Sequence, residues 1–406
     1  MNKEFIPVLM GNDINVYSMA RAFHEEYDLK STVFCKIASG PCKDSDIINL
    51  HPVEKIDESE VFVEHINQFA LKNIHKTIML IGCGDSYVEV ISSNLNKLES
   101  NIVAPYMDFQ YIEPLTDKEN FYKLCQENNI DHPLTTVIHH EEEGNIELNF
   151  DPPYVVKPSD SVEYWKHPFE GQDKVFIVQT KEEVKTIVEA IFSSGYKETV
   201  IIQEFIPGDD SNMRVLTCYS DQNARVKLMA LGHVLLEEHT PTGIGNHAVI
   251  LNDYNEDLNR KFKDFLEKIN YKGFSNFDLK YDPRDGKYKA FELNPRQGRS
   301  NYYVTNSGYN LAKIVVDDYL NDKTFPGTEI VSNQRLWLVV PKRVAFMYVY
   351  SQENRQKMSE LIIAGNYVNP LLYSKDRNIK RMLRVSKNIL SHYKKFKQYY
   401  GGDRVE

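Results

Sequence analysis

Cysteine is scarce and scattered in this chain: Cys35, Cys42, Cys83, Cys125 and Cys218 are odd in number and include no C-x-x-C pair. A disulfide framework is therefore not expected, and the thiols read as reduced and buried in a cytoplasmic protein. Long apolar runs are missing too; none approaches the roughly 18 residues of a membrane span. The N-terminus meets Asn12, Asp13 and Asn15 before an apolar h-region can form, so neither signal peptide nor anchor is expected. Excess positive charge is absent, since the net charge is −10. That argues against nucleic acid as a partner, because phosphate backbones are met by clustered Lys and Arg. Gly82-Cys83-Gly84 lacks the third glycine of a dinucleotide loop, and the His residues of 232–247 lack zinc-site spacings.

What is present suffices for two or three domains with a sizeable core: 406 residues, 42% of them apolar, with charges of both signs. Residues 6–10 lead through Gly11-Asn12-Asp13 into Val16, Met19, Ala20 and Phe23 at helical spacing, then to a strand at 32–34. A second strand, glycine turn and helix follow at 77–95, through Gly82 to Asp85. Two such units predict a doubly wound parallel sheet over residues 1–115.

Residues 277–300, FDLKYDPRDGKYKAFELNPRQGRS, concentrate the chemistry. Asp278 lies in one apolar run, and Glu292 and Asn294 alternate with Phe291, Leu293 and Pro295 in another. The Asp-Pro and Asp-Gly pairs between them make a turn, so the segment predicts a hairpin. On it Asp278, Glu292 and Asn294 can share one face, a donor set that suits Mg²⁺ with phosphate oxygens and water completing its shell. Arg296 comes next on the alternation, and a guanidinium there can face a transferred phosphate. From the hairpin alone, a solvated strand face of acids and bases remains an equal alternative.

Glu292-Leu293-Asn294-Pro295-Arg296, with Asp278 upstream, resembles the E-x-N-x-R signature of the ATP-grasp superfamily of carboxylate–amine ligases. The resemblance implies that Asp278, Glu292 and Asn294 hold Mg²⁺ against the ATP phosphates, while Arg296 steadies an acyl phosphate. It implies a phosphate-binding Lys123 on a helix at 118–128. It also implies a second such lysine, Lys157, at the end of strand 152–158. A Lys closing a buried strand needs an anion in any case, and Lys157 joins Arg296 as a catalytic candidate. The resemblance further implies that Gln203, Glu204, Phe205 and Ile206 form the adenine hinge. Asp210, with Asp209 as its competitor, would take the ribose. Loop 160–172 is a cover over the triphosphate or an ordinary linker. Gly11, Asn12, Gly82, Gly84 and Asp85 stand where the family's N-terminal domain helps bind substrate, or serve only as turn formers.

A small carboxylate substrate is expected at Arg214, His233 and Thr242, around the glycine-rich stretch before the hairpin, and at Gly298, Arg299 and Ser300 after it. Gly298 allows close backbone approach and an arginine fork suits a carboxylate. Residues 375–400 are strongly basic in an acidic protein. They read as a C-terminal helix packed on the body, or as a segment for a phosphate-rich substrate or an anionic membrane surface.

The expected fold is α/β: an ATP-grasp fold with an N-terminal doubly wound parallel sheet domain (1–115), a central small ATP-grasp lobe (116–205), a C-terminal mixed-sheet lobe with the metal site (206–330) and a basic extension (331–406). The sequence F-E-L-N-P-R-x-G-R-S, the Asp-Pro-Arg-Asp-Gly turn and the Gly-Asn-Asp-Ile-Asn start resemble the D-aspartate ligase branch of Gram-positive bacteria. That branch implies ATP and Mg²⁺, with D-aspartate and a UDP-linked peptidoglycan precursor as substrates. Another amino-acid or peptide ligase of the superfamily, a non-catalytic nucleotide-binding regulator and an NAD-dependent oxidoreductase are the competing readings.

Overall fold

The computed structural model describes residues 4–142, 146–241 and 243–401. The chain divides into two compact units, Met1–Ile112 with Asp209–Asp278 and Leu293–Glu406, and Glu113–Gly208 with Leu279–Glu292. The division cuts across chain order: the outer part of the hairpin belongs with the segment that begins at Glu113.

In the first unit, β1 (Phe5–Met10), β2 (Ser31–Cys35), β3 (Ile48–Pro52), β4 (Thr77–Gly82) and β5 (Ile102–Val103) form a parallel sheet in the order β3-β2-β1-β4-β5. The chain reverses winding direction between β1 and β4, and open α/β sheets bind ligands at the strand ends beside such a switch. Gly11 and Gly82 close those two strands. Gly11 has φ +119° and its missing side chain leaves room for Val16, so a Cβ is disfavoured twice over. Helix Ile14–Tyr27 starts there because Asp13 caps it, accepting from the N–H groups of Asn15 and Val16.

The second unit holds β6 (Thr135–Ile138), β7 (Tyr154–Pro158), β8 (Phe176–Val178) and β9 (Val200–Glu204), an antiparallel sheet in the order β6-β9-β7-β8. Helix Lys181–Ser193 opens on a capping box between Thr180 and Glu183 and lays Val184, Val188, Ile191 and Phe192 into this unit's core.

A mixed eight-stranded sheet completes the fold. It contains β10 (Met213–Ser220), β11 (Val226–Glu237), β12 (His247–Asp253), β13 (Gly273–Asp282), β14 (Lys287–Asn294), β15 (Glu329–Ile330), β16 (Leu336–Leu338) and β17 (Tyr367–Val368). Their order is β14-β13-β10-β11-β12-β16-β17, with β15 beside β11. The predicted hairpin is β13–β14. The strand and helix after β2, Ile48–Pro52 and Ser59–Lys72, and the strands from 329 onward go beyond the elements expected from the sequence. The basic C-terminal segment forms helix Ile379–Tyr399, which buries Arg381, Val385, His392 and Phe396 on one face.

Candidate active site

In the first unit the chemistry gathers on the loop that leaves β14. Asn294 is buried; its amide nitrogen lies 3.3 Å from Asp278 Oδ2 and its Oδ1 accepts from Arg296 Nη2 at 3.1 Å. Arg296 also donates from Nε to Asp85 Oδ1 (2.8 Å) and from Nη2 to Asp85 Oδ2 (3.1 Å). One hydrogen-bonded row therefore joins two of the expected metal ligands to the expected phosphate-facing arginine. Asp85, at the start of the helix after β4, ends it.

The loop is fixed on the switch point by buried amides. Asn15 Nδ2 donates to Cys83 O (3.1 Å) and Gln297 O (3.0 Å), while Asn301 Nδ2 donates to Asn15 Oδ1 (2.8 Å). Gln297 Nε2 lies 3.2 Å from Asn15 Oδ1 and 3.4 Å from Gly82 O. Buried amides lose much of their stabilisation if left unpaired, so this network sets the loop's position. Sequence pattern did not single out Asn15, Gln297 or Asn301; three polar residues in buried company show only once the chain has folded. Gly298 sits against Asn276: a Cβ there would lie 2.4 Å from Asn276 Oδ1. The glycine serves close packing of the loop on β13.

Next on the loop, Arg299 Nη2 lies 3.3 Å from Glu238 Oε1, and buried Ser300 lies 3.4 Å from His247 Nδ1. Burial, aided by Arg299, lowers the His247 pKa to about 4, so this ring is neutral at physiological pH. Asp13 is pushed upward by burial, against the N–H of Val16 and the charges of Arg299 and Arg296. The other expected substrate residues have partners of their own. Arg214 pairs with Asp253 (2.9 Å) and His233 Nε2 donates to Ser211 O (2.7 Å), the two residues lying opposite one another in the β10–β11 register. Burial, then Arg214, lowers His233 to about 4. Thr242 lies outside the described residues. Asp210 Oδ2 takes the N–H of Glu237 (2.9 Å) and His239 Nε2 (2.8 Å), which raises the His239 pKa. Asp209 instead caps its own turn through Ser211.

In the second unit Lys157 is half-buried near the end of β7, its ammonium 5.6 Å from the Phe291 ring centre. Desolvation lowers its pKa to about 7; Lys118 and Lys174 act the same way and Glu292 opposes them. Lys118 comes from helix Lys118–Glu127 and donates to Ser159 O at 3.0 Å. Lys123, on the same helix, pairs at 2.6 Å with Glu119 on its exposed side. Lys118 is thus the cation that shares the surroundings of Lys157, a placement the linear sequence did not reveal. Tyr122 OH donates to Phe291 O (2.8 Å), tying this helix to β14.

At the hinge, Gln203 is buried and donates to Thr135 Oγ1 (2.8 Å). The N–H groups of Glu204 and Phe205 go to Leu134 O and Pro153 O, and Ile206 is buried. The Glu204 carboxylate accepts from Leu134 N–H (2.9 Å), Arg284 (2.6 Å) and Lys289 (3.4 Å). Arg284 also grips Asp282, whose pKa it holds below the usual carboxylate range. The hairpin's turn is thereby locked to the hinge by charge-assisted bonds. Lys280 lies 5.5 Å from the Phe205 ring centre.

Among the described residues no group of three His, Cys, Asp or Glu side chains is placed to hold a metal. A carboxylate and an amide of the hydrogen-bonded row, Asp278 and Asn294, are donors of the kind Mg²⁺ uses, because Mg²⁺ keeps waters and shares phosphate oxygens instead of filling an all-protein cage. Glu292 and Asn294 stand two apart on β14, where side chains alternate and point the same way.

No protein-family model matches the chain. The D-aspartate ligase of Enterococcus faecium (strain Aus0004) is 42% identical over 410 residues, covering 98% of this chain and 97% of that protein. Among solved structures, the L-amino acid ligase from Bacillus licheniformis gives a TM-score of 0.54 at 15% identity, over 79% of this chain and 75% of that one. N5-carboxyaminoimidazole ribonucleotide synthetase in its ADP complex gives 0.61 at 11% identity, over 97% and 98%. At such identities the likeness speaks for the fold, which is the ATP-grasp fold.

Proposed function

We propose, because the chain belongs to the D-aspartate ligase family, that this ATP-dependent, amide-forming ligase joins the β-carboxyl of D-aspartate to the lysine ε-amine of a UDP-linked peptidoglycan precursor. The substrate carboxylate takes the terminal phosphoryl group of ATP, releasing ADP. The amine then attacks the acyl carbon, releasing phosphate and a proton as the amide forms. No side-chain nucleophile is required; positioning and charge neutralisation supply the catalysis.

The observation that carries this reading is the row Asp278–Asn294–Arg296, which sets two metal-type donors beside a guanidinium on a loop anchored at the switch point. Asp278, Glu292 and Asn294 would hold Mg²⁺. That ion supplies charge neutralisation between the phosphate oxygens. Arg296 steadies the acyl phosphate, and Lys157, with Lys118 beside it, receives phosphate oxygens. Lys123 would reach phosphate only by leaving Glu119. Gln203, Glu204, Phe205 and Ile206 frame the adenine, with the N–H groups of Glu204 and Phe205 already committed to Leu134 O and Pro153 O. Asp210 takes the ribose. Arg299, Ser300 and Gly298 hold the amino-acid carboxylate, with Arg214 and His233 as further candidates.

Residues 1–115 would serve substrate, 116–205 and 206–330 the nucleotide and metal, and 331–406 the extension. ATP and a UDP-linked acceptor place the reaction in the cytoplasm; no helix among the described residues is long and apolar enough to cross a membrane. The test is phosphate release by the purified protein with ATP, Mg²⁺ and the UDP-linked precursor, with D- and L-amino acids supplied in turn. Release with D-aspartate and not with L-aspartate is expected; release indifferent to D-aspartate overturns the substrate assignment.

A further inference from the structure

A cavity of about 650 Å³ opens in the first unit beside the loop that carries Arg299. Ile14, Val339, Leu371 and Val385 give it an apolar floor, and Asn12 and Asp13 bring in the turn at the end of β1. Its far wall is one side of helix Ile379–Tyr399, where Arg384, Lys387, Ser391 and Lys395 recur at spacings of three and four. The helix contains no Asp or Glu. Pockets of this size bury drug-sized ligands, and a four-carbon amino acid leaves most of such a space empty.

Four cations, Arg299, Arg384, Lys387 and Lys395, line the cavity against two acids, Asp13 and Glu238, in a protein whose net charge is −10. Glu238 stays ionised, because His392, Arg299 and Lys395 outweigh the upward push of burial. Arg384 is held by Asp44 at 2.8 Å and forms part of the wall. Arg299 spends Nη2 on Glu238, whereas its buried Nη1 has no hydrogen-bond partner among the described residues. The cavity lining thus combines Arg299 on the substrate loop, apolar side chains, and the cations of the C-terminal helix. That combination matches an anion with a large organic body.

We propose that this cavity is the acceptor site, its inner end admitting the amine beside Arg299 and the lysine face of the C-terminal helix gripping the acceptor's diphosphate. The inference rests on the ligase reading given above and gives the basic C-terminal helix a substrate.

The test uses the full chain and the double variant Lys387→Glu/Lys395→Glu, with two acceptors: the UDP-linked pentapeptide precursor and the same pentapeptide without its UDP-sugar. The KM for the UDP-linked acceptor is expected to rise by about tenfold or more, with the KM for the free peptide unmoved. Equal shifts for both acceptors, or none, overturn the proposal. Lys387→Gln/Lys395→Gln should fall between wild type and the Glu pair at an unchanged Tm, which separates charge from misfolding. Calorimetric titration of uridine diphosphate into the protein, without amino acid, separates this proposal from the ligase reading. Binding that weakens in the double variant and with added salt supports the site even if D-aspartate turnover fails; binding that is absent or indifferent to the variant overturns it. Loss of binding to phosphatidylglycerol vesicles in the variant, with the UDP-linked KM unchanged, would assign the helix to a lipid surface instead.

Discussion

Arg296 and Asp85, 211 positions apart in the chain, meet fork to fork, at 2.8 Å between Nε and Oδ1 and 3.1 Å between Nη2 and Oδ2. Bidentate pairing fixes the plane of a guanidinium as well as its place, something an ammonium cannot reproduce. Arg296→Lys is accordingly expected to lower kcat by about a hundredfold with little change in the KM for ATP. Asp85→Asn keeps the arginine and loosens its orientation, and a loss nearer tenfold is expected. Steady-state phosphate release on both variants measures the difference; equal, negligible losses would remove Arg296 from the chemistry.

Glu292→Ala and Asp278→Asn each take one anionic oxygen from the magnesium-type set. Turnover should become undetectable at millimolar Mg²⁺ while the Tm stays within a few degrees of wild type, since neither side chain holds the core together. Wild-type turnover in the Glu292 variant would refute that role.

Lys157 carries a pH signature. Its pKa in the ligand-free protein is lowered to about 7, first by desolvation and then by Lys118 and Lys174. Phosphate oxygens favour the charged form, so bound nucleotide raises that pKa. Between the free and bound values, binding draws in a proton; affinity is full below pH about 7 and falls above it, by at most about tenfold per pH unit. Calorimetry of ATP binding at pH 8 in buffers of different ionisation enthalpy should record proton uptake. Lys157→Met should remove it, and uptake unchanged in that variant would assign the proton elsewhere.

Gly298 tests the loop's seating. Gly298→Ala puts a Cβ 2.4 Å from Asn276 Oδ1, an atom that already accepts from Thr217. Overpacking of this kind costs about 1–3 kcal/mol, and the displaced loop should lose activity with it. Because the clash is with a side chain, Asn276→Ala combined with Gly298→Ala should recover part of the lost Tm, a non-additivity read by a double-mutant cycle. A fully additive result would mean that the loop is seated by other contacts.

The hairpin and the two strand–turn–helix units were legible because alternation and glycine turns are local signals. Short edge strands such as Ile48–Pro52 and Tyr367–Val368 were not, since their few residues carry too little pattern. The same limit explains the site. Arg296 and Asp278 could be named from a motif, but Asn15, Gln297 and Asn301 are unremarkable polar letters until burial makes their pairing compulsory. Lys118 and Lys123 are equivalent in the sequence; the turn of their helix gives one to Ser159 and the other to Glu119.

By itself the sequence determined which chemistry is on offer: oxygen donors at 278, 292 and 294, a guanidinium at 296, lysines at strand and helix ends, and an α/β alternation to carry them. Tertiary structure alone decided which of those groups face one another, that Asp85 answers Arg296, that the hinge acid Glu204 is spent on Arg284 and Lys289, and that the basic tail walls a cavity. The reason is range. Turns and periodicity act over a few residues, whereas ion pairs and buried amides are chosen by whatever the folded backbone brings within about 3 Å, however distant in the chain.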